Sequence, residues 1–343
     1  MRALVTGATG FIGGHIVDRL LAAGHQVRGL ARNAQKAARL KTLGVEVVVG
    51  DVTEMEPLRA AAQGVDTVFH AAAKVTDWGP WAEFEAATVR GTENTLQAAV
   101  DGGVRRFLHV STVGVYDEKA VANATGRIGE DTSLTSGTDI SFGFYAKSKM
   151  LAEKAAFRYH REGKLVVSAV RPAWVYGPRD ESIFPRMVQF LKSPLASWVG
   201  NFDPAIGLIY VSDVADLAIA AATSEAAGGQ AYNAAPEEDV RLREFITAIC
   251  RALDIPPPRR SIPYGLAAAL TTVVEGWARL TRSKEPPTLT RAALAVQTRD
   301  QRFDISKAKG DLGWQPKVSM AEGVRATAAW ARERELVGVG ASA

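Results

Sequence analysis

Cysteine is almost missing from this chain. One residue, Cys250, serves 343 positions, so no internal disulfide can form and a reducing compartment is expected. It sits in the helical run Phe245 to Cys250 and reads as a buried core residue, not a nucleophile. Long apolar runs are missing too, since none reaches the roughly 18–20 residues that span a bilayer. The nearest, Tyr264 to Leu280, carries Leu266, Leu270, Val273, Val274, Trp277 and Leu280 but is broken by Glu275 and Arg279. It reads first as a core helix and second as a surface helix that leans on a membrane or guards an apolar pocket. Nor is there an excess of one charge. Lys+Arg number 41 against 37 Asp+Glu, for a net charge of +4, and basic blocks such as Arg259-Arg260 and Arg302 are isolated. Nucleic-acid binding is therefore not expected. Repeats and low-complexity tracts are absent. The first strand begins at Arg2, so no leader peptide is expected, and a cytoplasmic protein is expected, with peripheral contact to a membrane left open through Tyr264–Leu280.

What the chain does have is a ladder of glycines at its start. Gly7, Gly10 and Gly13 lie in Thr6-Gly7-Ala8-Thr9-Gly10-Phe11-Ile12-Gly13-Gly14, directly after the apolar run Ala3-Leu4-Val5. A helical pattern follows, with Phe11, Ile12, Ile16, Val17, Leu20 and Leu21 on one face, and ends at Gly24. Gln26 to Ala31 then reads as a second strand. Glycines in this strand–turn–helix context let the backbone turn tightly and approach a ligand closely. They also aim the free N–H groups of a helix start at an anion, typically a pyrophosphate. The spacing is Gly-x-x-Gly-x-x-Gly, not the more familiar Gly-x-Gly-x-x-Gly.

Strand and helix signals alternate beyond it: Val45–Val49, Thr67–His70, a long helix from about Trp81 to Val100, Arg106–Val110, a second long helix near Tyr145–Arg161, and Leu165–Val170. This pitch predicts an α/β chain, a Rossmann-type doubly wound parallel sheet with its ligand crevice at the carboxyl ends of the strands. After Pro172 prolines punctuate the chain, and strand-like pieces return at Ile206–Val211 and Gln230–Asn233. The expected organisation is a dinucleotide-binding domain over 1–171, with pieces near 206–235 returning to it. A smaller mixed C-terminal substrate lobe takes 172–205 and 236–320, and a C-terminal helix and tail take 321–343.

Two further groups carry chemistry. Tyr145 and Lys149 are four apart and share a helix face. A neighbouring ammonium favours the phenolate and brings a tyrosine toward use as an acid–base. Ser111 and Thr112 end the Arg106–Val110 strand and point hydroxyls at the same crevice, where one of them can hold a carbonyl oxygen; a strand-end cap is the plainer use of each.

Together these groups resemble the extended short-chain dehydrogenase/reductase family, within the epimerase/dehydratase superfamily. The likeness is nearest to its 3β-hydroxysteroid/sterol dehydrogenase and dihydroflavonol reductase branch and covers nearly the whole chain. The resemblance implies a dinucleotide held by Gly7, Thr9, Gly10, Phe11, Ile12 and Gly13. Asp51 and Val52 would lie at the adenine, Ala71, Ala72, Ala73 and Lys74 on the crossing loop, and Pro172 and Val175 beside the nicotinamide, within Arg171-Pro172-Ala173-Trp174-Val175-Tyr176-Gly177-Pro178. It implies Tyr145 as general acid/base, Lys149 on the nicotinamide ribose and lowering the Tyr145 pKa, and Thr112 or Ser111 orienting the reacting oxygen. The family's Asn-Val-x-Gly-Thr appears here as Thr88-Val89-Arg90-Gly91-Thr92.

The second strand ends without an acid to hold a ribose 2′-OH. Arg32, with Arg28 and Lys36 near, suits a 2′-phosphate instead, as in plant dihydroflavonol reductases, and NADP is expected before NAD. No metal is expected. The stretch Ala71 to Trp81 and the tail Gln301 to Pro316 look like the hydroxysteroid branch. Trp78, Trp81, Thr112 and Tyr176 are the expected substrate contacts, for a flat apolar molecule of sterol or steroid kind. A nucleotide-sugar 4-epimerase or dehydratase with tightly bound NAD is the second reading, although only Arg186 and Arg243 could meet a diphosphate. A cofactor-sensing regulator is the third. By analogy with relatives, the helices near Trp81–Val100 and Tyr145–Arg161 would seat a homodimer.

Overall fold

A computed structural model describes residues 1–137, 143–281, 283, 285–287 and 290–334. The chain opens as β1 (Arg2–Thr6), α1 (Phe11–Ala22), β2 (Gln26–Ala31), α2 (Ala38–Thr42), β3 (Glu46–Val49), α3 (Met55–Ala62) and β4 (Thr67–His70). Next comes α4 (Trp81–Phe84), continuous through a π-helical stretch, Glu85–Arg90, with α5 (Gly91–Asp101). Then follow β5 (Arg106–Val110), α6 (Glu118–Ala122), α7 (Gly143–Arg161) and β6 (Val166–Pro172). The remainder is β7 (Trp174–Tyr176), α8 (Ile183–Lys192), β8 (Ser197–Val199), β9 (Ala205–Ile206), β10 (Leu208–Tyr210), α9 (Val211–Thr223), β11 (Ala231–Ala234), β12 (Val240–Arg241), α10 (Leu242–Ala252), β13 (Arg260–Ile262), α11 (Tyr264–Leu280), α12 (Arg291–Thr298), α13 (Ser306–Leu312) and α14 (Met320–Glu333).

Seven parallel strands form one sheet in the order β11-β6-β5-β4-β1-β2-β3. This is the doubly wound α/β sheet that the alternating pattern predicts. Its strands are apolar on both faces because helices cover both. Ile16, Val17 and Leu20 of α1 pack with Val214, Leu217, Ala218 and Ala221 of α9 on one face. Leu58 of α3, Leu96 of α5 and Ala156 and Tyr159 of α7 fill the other. The strand order reverses beside β1, whose neighbours are β2 and β4, and this switch point opens the ligand crevice. A separate core holds the second half of the chain together, with Phe184 and Val188 of α8, Phe245, Ile249 and Cys250 of α10, and Ala328 of α14. Cys250 is buried there, as its helical run predicts.

Three local expectations change. The helix after Trp81 does not run evenly, since its middle widens to π geometry at Glu85–Arg90, where Thr88 is buried and its hydroxyl accepts the N–H of Lys74 at 3.1 Å. Ile206–Val211 is not one strand. Gly207 breaks it, because a Cβ there would stand 2.9 Å from both Ala173 and Phe303. β9 therefore pairs with β12, β10 pairs with β7, and Val211 begins α9. Most consequentially, α11 is not a core helix. It buries only Ala267, Thr271, Glu275 and Ala278, and its large apolar side chains stay exposed.

One buried ion pair ties α7 to the sheet. Arg171 at the end of β6 meets Glu153 of α7 through Nε–Oε2 at 3.1 Å and Nη2–Oε1 at 2.6 Å. Its remaining nitrogen donates to the Tyr116 hydroxyl and the Glu130 carbonyl. Removing one partner strands a charge in the interior, which costs far more than removing both. Glu153→Ala is expected to lower unfolding free energy by about 3–5 kcal/mol, read as a shift of the urea midpoint. The double change Glu153→Leu with Arg171→Met is expected to lose less than the single one. A single variant as stable as the wild type would show that the pair contributes nothing.

Candidate active site

The glycine turn is built by close contact. Gly7 adopts φ +68°, and a Cβ on it would lie 2.9 Å from the Ala72 nitrogen. Gly10 donates to the Gly7 carbonyl at 2.8 Å and caps α1 with no side chain of its own. A Cβ on Gly13 would stand 2.2 Å from the Gly7 oxygen, so turn and helix are pressed together where only hydrogen fits. The first turn of α1 holds no acidic residue, Thr9 and Gly10 are exposed, and Phe11 and Ile12 are half-buried. Such an uncapped start, fronted by exposed backbone, suits a pyrophosphate.

A hydrogen-bond chain locks this turn to the loop after β4. The Thr92 hydroxyl donates to the Thr88 carbonyl at 2.6 Å. Its single proton is thereby used, so at 2.9 Å it accepts from His70 Nε2–H. His70 Nδ1 then accepts from the Thr6 hydroxyl at 2.8 Å, and Thr6 Oγ1 takes the Ala72 N–H at 3.4 Å. The imidazole is neutral in this arrangement, because burial, followed by the Lys149 charge, pushes the His70 pKa down to about 3. Ala71 donates to the Thr6 carbonyl at 3.2 Å, and Ala71, Ala72 and Ala73 line the crevice half-buried. The Lys74 backbone is held by Thr88, while its ammonium pairs with Glu83 at 2.6 Å. Thr6, His70, Thr88 and Thr92 were not singled out as site residues from spacing. A histidine inside an apolar strand was the one visible signal.

At the adenosine end, Asp51 Oδ1 accepts from both the backbone and the hydroxyl of Thr53, and Arg32 Nε lies 3.9 Å from Asp51 Oδ2. The Arg32 side chain is 83% exposed and free to meet a further anion. Val52 packs against Gly91, where a Cβ would come within 2.6 Å of Val52 Cγ2. Arg28, expected nearby, is turned away to the Ala61 and Gln63 carbonyls and Glu46.

At the chemical end, Lys149 is buried and donates to the Val110 carbonyl at 2.7 Å. Burial brings its pKa down to about 8, against the pull of Glu153 one turn further along α7. Tyr145 lies beside the Thr112 hydroxyl. Burial pushes its phenol above the ordinary value and the Thr112 contact opposes this. The lowering by Lys149 expected from their spacing is thus not the balance here. The ammonium is turned to a backbone carbonyl, and desolvation dominates the phenol. Thr112 also takes the Gly114 N–H at 3.1 Å, as a strand-end cap does. Ser111 is different, since its buried hydroxyl has no hydrogen-bond partner among the described residues. Behind it, His109 stacks on His70 at 5.8 Å, with both ring nitrogens also unpartnered and its pKa well below ordinary by burial.

Pro172 closes β6, buried, and Val175 is half-buried in β7. Trp78 and Trp81 stand half-buried around the loop after β4, where Trp78 Nε1 donates to the Ser283 carbonyl at 2.8 Å and Trp81 packs under Lys147 and against Phe144. Tyr176, expected to touch substrate, is instead a core residue. It is 4% exposed and wedged edge-on against Tyr210 and Phe245, because Gly323 of α14 leaves room for its ring. Among the described residues, no three or more of His, Cys, Asp and Glu gather to hold a metal ion.

A doubly wound sheet, a glycine turn at its switch point and a Tyr–Lys helix face beside it define a dinucleotide-dependent enzyme class. The chain belongs to the NAD dependent epimerase/dehydratase family, which residues 3–235 match. It is 32% identical to the 2-alkyl-3-oxoalkanoate reductase of Shewanella oneidensis, across 94% of this chain and 84% of that one. It is also 32% identical to the 3 beta-hydroxysteroid dehydrogenase/Delta 5-->4-isomerase of Mycobacterium tuberculosis, across 92% and 86%. Among solved structures, gox2253 superposes with a TM-score of 0.79 at 27% identity, over 97% of this chain and 98% of that one.

The glycine contacts and the uncapped helix start fit the family's dinucleotide. Gly13→Ala is expected to lose binding of the reduced dinucleotide, followed by its fluorescence, and to destabilise by about 1–3 kcal/mol through overpacking. Unchanged binding would show that the tight turn is not what holds the ligand. Lys149 generates a pH prediction with a definite sign. The folded protein loses this proton near pH 8 and the unfolded chain near 10.5, so ammonium-dependent binding weakens as pH rises through about 8. Affinity for the reduced dinucleotide, measured across that range, is expected to show this limb in the wild type and not in Lys149→Met. The same limb in both would remove Lys149 from the binding role.

Proposed function

We propose that the protein is an NADP-dependent oxidoreductase that interconverts a secondary alcohol and a ketone on an apolar molecule of sterol, steroid or similar kind. One observation carries this reading: Tyr145, Thr112 and Lys149 converge at the end of β5, beside the buried and unpartnered hydroxyl of Ser111. The dinucleotide, when bound, supplies the hydride donor or acceptor. The chain's own residues do the rest. Ser111 and Thr112 hold the reacting oxygen by hydrogen bonds. In the reductive direction Tyr145 gives its phenolic proton to that oxygen as it becomes the alcohol, and in the oxidative direction it takes the proton back. Lys149 holds the ribose hydroxyls and offsets the charge left on Tyr145. Glu153 keeps the ammonium from losing its proton sooner.

Arg32 supports NADP over NAD, because an exposed guanidinium stands where an acid would repel a 2′-phosphate. Trp78, Trp81 and Phe144 at the crevice lip support an apolar substrate. The names of the two relatives above, a reductase of oxoalkanoates and a hydroxysteroid dehydrogenase, agree with that class. A nucleotide-sugar reading is less well supported. Of the two arginines available for a diphosphate, Arg186 pairs with Asp77 at 3.4 Å, and Arg243 is committed to the Phe202 and Gly200 carbonyls and the Trp198 ring.

Purified protein is expected to oxidise NADPH with an apolar ketone such as a 3-ketosteroid and to leave UDP-glucose unchanged. Binding of NADPH without turnover of any apolar ketone would overturn the proposal. Tyr145→Phe is expected to cut turnover by about 10²–10⁴-fold while dinucleotide affinity holds. Arg32→Ala is expected to reduce the preference for NADPH over NADH by about tenfold, the worth of one charged hydrogen bond. An unchanged preference would move the phosphate contact elsewhere.

A further inference from the structure

Helix α11 turns its apolar side outward. Leu266 is 51% exposed, Leu270 41%, Val273 68%, Trp277 67% and Leu280 76%. These positions step by four, three, four and three, so they form one continuous stripe along the helix. Tyr264 and Phe202, 48% and 44% exposed and edge-to-face at 6.1 Å, extend it at the amino end. Leu195, 74% exposed, precedes β8, which pairs with the β13 strand that leads into α11. Solitary exposed apolar residues are ordinary, but a row of this length on one element marks a contact surface.

The charges around the stripe say what kind of surface it meets. From 259 to 280 the charged residues are Arg259, Arg260, Glu275 and Arg279. The only acid, Glu275, is turned inward, accepting the Arg291 N–H at 2.7 Å and lying 3.5 Å from the Arg291 side chain. Arg259 and Arg260 are exposed at one end and Arg279 is exposed at the other. A second copy of this helix is a poor partner. An antiparallel pair sets the Arg279 end of one against the Arg259–Arg260 end of the other, and a parallel pair sets each arginine against its own counterpart. Both bring like charges together. An anionic bilayer accepts the stripe and neutralises Arg259 and Arg260, while Arg279, 3.8 Å from Glu275, adds a cation at the other end; Tyr264 and Trp277 are the residue types that settle at headgroup depth.

We propose that α11 lays the second half of the chain on an anionic lipid surface, with Leu270, Val273, Trp277 and Leu280 entering the headgroup boundary. No helix of the described residues is long and apolar enough to cross a membrane, so the contact is lateral. The stripe ends at the crevice lip. Arg279 lies over the Trp78 ring at 5.8 Å, and Trp78 is tied to the Ser283 carbonyl just beyond the helix. On the functional reading above, an apolar ketone held in lipid would reach the crevice along this edge without crossing bulk water.

The test is co-sedimentation of the full chain with phosphatidylcholine vesicles, with and without phosphatidylglycerol. Binding is expected to the anionic vesicles and to weaken at raised salt. Val273→Glu with Leu270→Glu is expected to weaken vesicle binding by at least about tenfold while NADPH oxidation with a water-soluble ketone is unchanged. Arg259→Glu with Arg260→Glu is expected to remove the preference for phosphatidylglycerol. Circular dichroism and the thermal midpoint check that both variants fold, and these solvent-facing sites give little cause for loss. Three results would overturn the proposal: no binding to either vesicle, full binding by the Val273→Glu/Leu270→Glu variant, or a wild-type dimer that this variant makes monomeric. Vesicle binding is read without turnover. A protein that binds vesicles yet reduces no ketone therefore strikes only the functional reading.

Discussion

The contact between the glycine turn and the loop after β4 is the constraint from which the rest of the crevice follows. Gly7 and Ala72 stand too close for a side chain, and the Thr6–His70–Thr92–Thr88 chain holds them there. Each member has one role its neighbours force on it. Thr92 has spent its proton, so His70 must donate from Nε2, so Thr6 must donate to Nδ1. Burial keeps the imidazole neutral, which leaves Nδ1 as the acceptor of the Thr6 hydroxyl. β1, β4 and the π-widened helix are thus joined by buried bonds with no slack, at the point where the sheet's strand order reverses.

The helix face that presents Tyr145 and Lys149 also presents the acid that supports the Lys149 charge. Tyr145, Lys149 and Glu153 follow one another at four-residue steps along α7. Burial alone favours a neutral Lys149 and a protonated Tyr145. For Tyr145 that is the state needed to donate a proton. For Lys149 it works against the ammonium, and Glu153 opposes it. Glu153 in turn sits in the interior only because Arg171 grips it with two nitrogens. A bond one turn beyond Lys149 on the same helix face therefore bears on the protonation of a residue at the crevice.

The sheet was legible because its strands are apolar on both faces and glycine punctuates the turns. The bounds of β2, β4 and β5 coincide with the runs Gln26–Ala31, Thr67–His70 and Arg106–Val110. Tyr145 and Lys149 were legible because helical periodicity puts them on one face whatever surrounds them. What escaped depends on contacts between segments distant in sequence. Tyr176 reads as a crevice residue from its motif, yet Gly323, far along the chain, opens a core slot for it. Thr88 reads as a departure from the family's asparagine, yet its hydroxyl still accepts the Lys74 N–H that positions the crossing loop. Apolar content in α11 says that a face must be covered but not which one. Small residues Ala267 and Ala278 take the protein side, and the larger ones are left outside.

The two ends of the crevice discriminate with unequal strength. Around Ser111, Lys149 and His109, all buried, an unmet hydrogen bond carries the full cost of desolvation. At the adenosine end Arg32 lies in solvent, where salt screens its charge and side-chain entropy opposes a fixed pose. If Arg32 meets the dinucleotide's phosphate as proposed, that contact gives a modest, salt-dependent preference. On the proposed function, selection of the reacting oxygen falls to the Ser111–Thr112 hydroxyls, of which that of Ser111 has no hydrogen-bond partner among the described residues. If the proposed function holds, a crevice arranged this way discriminates more sharply at the reacting oxygen than at the dinucleotide's phosphate.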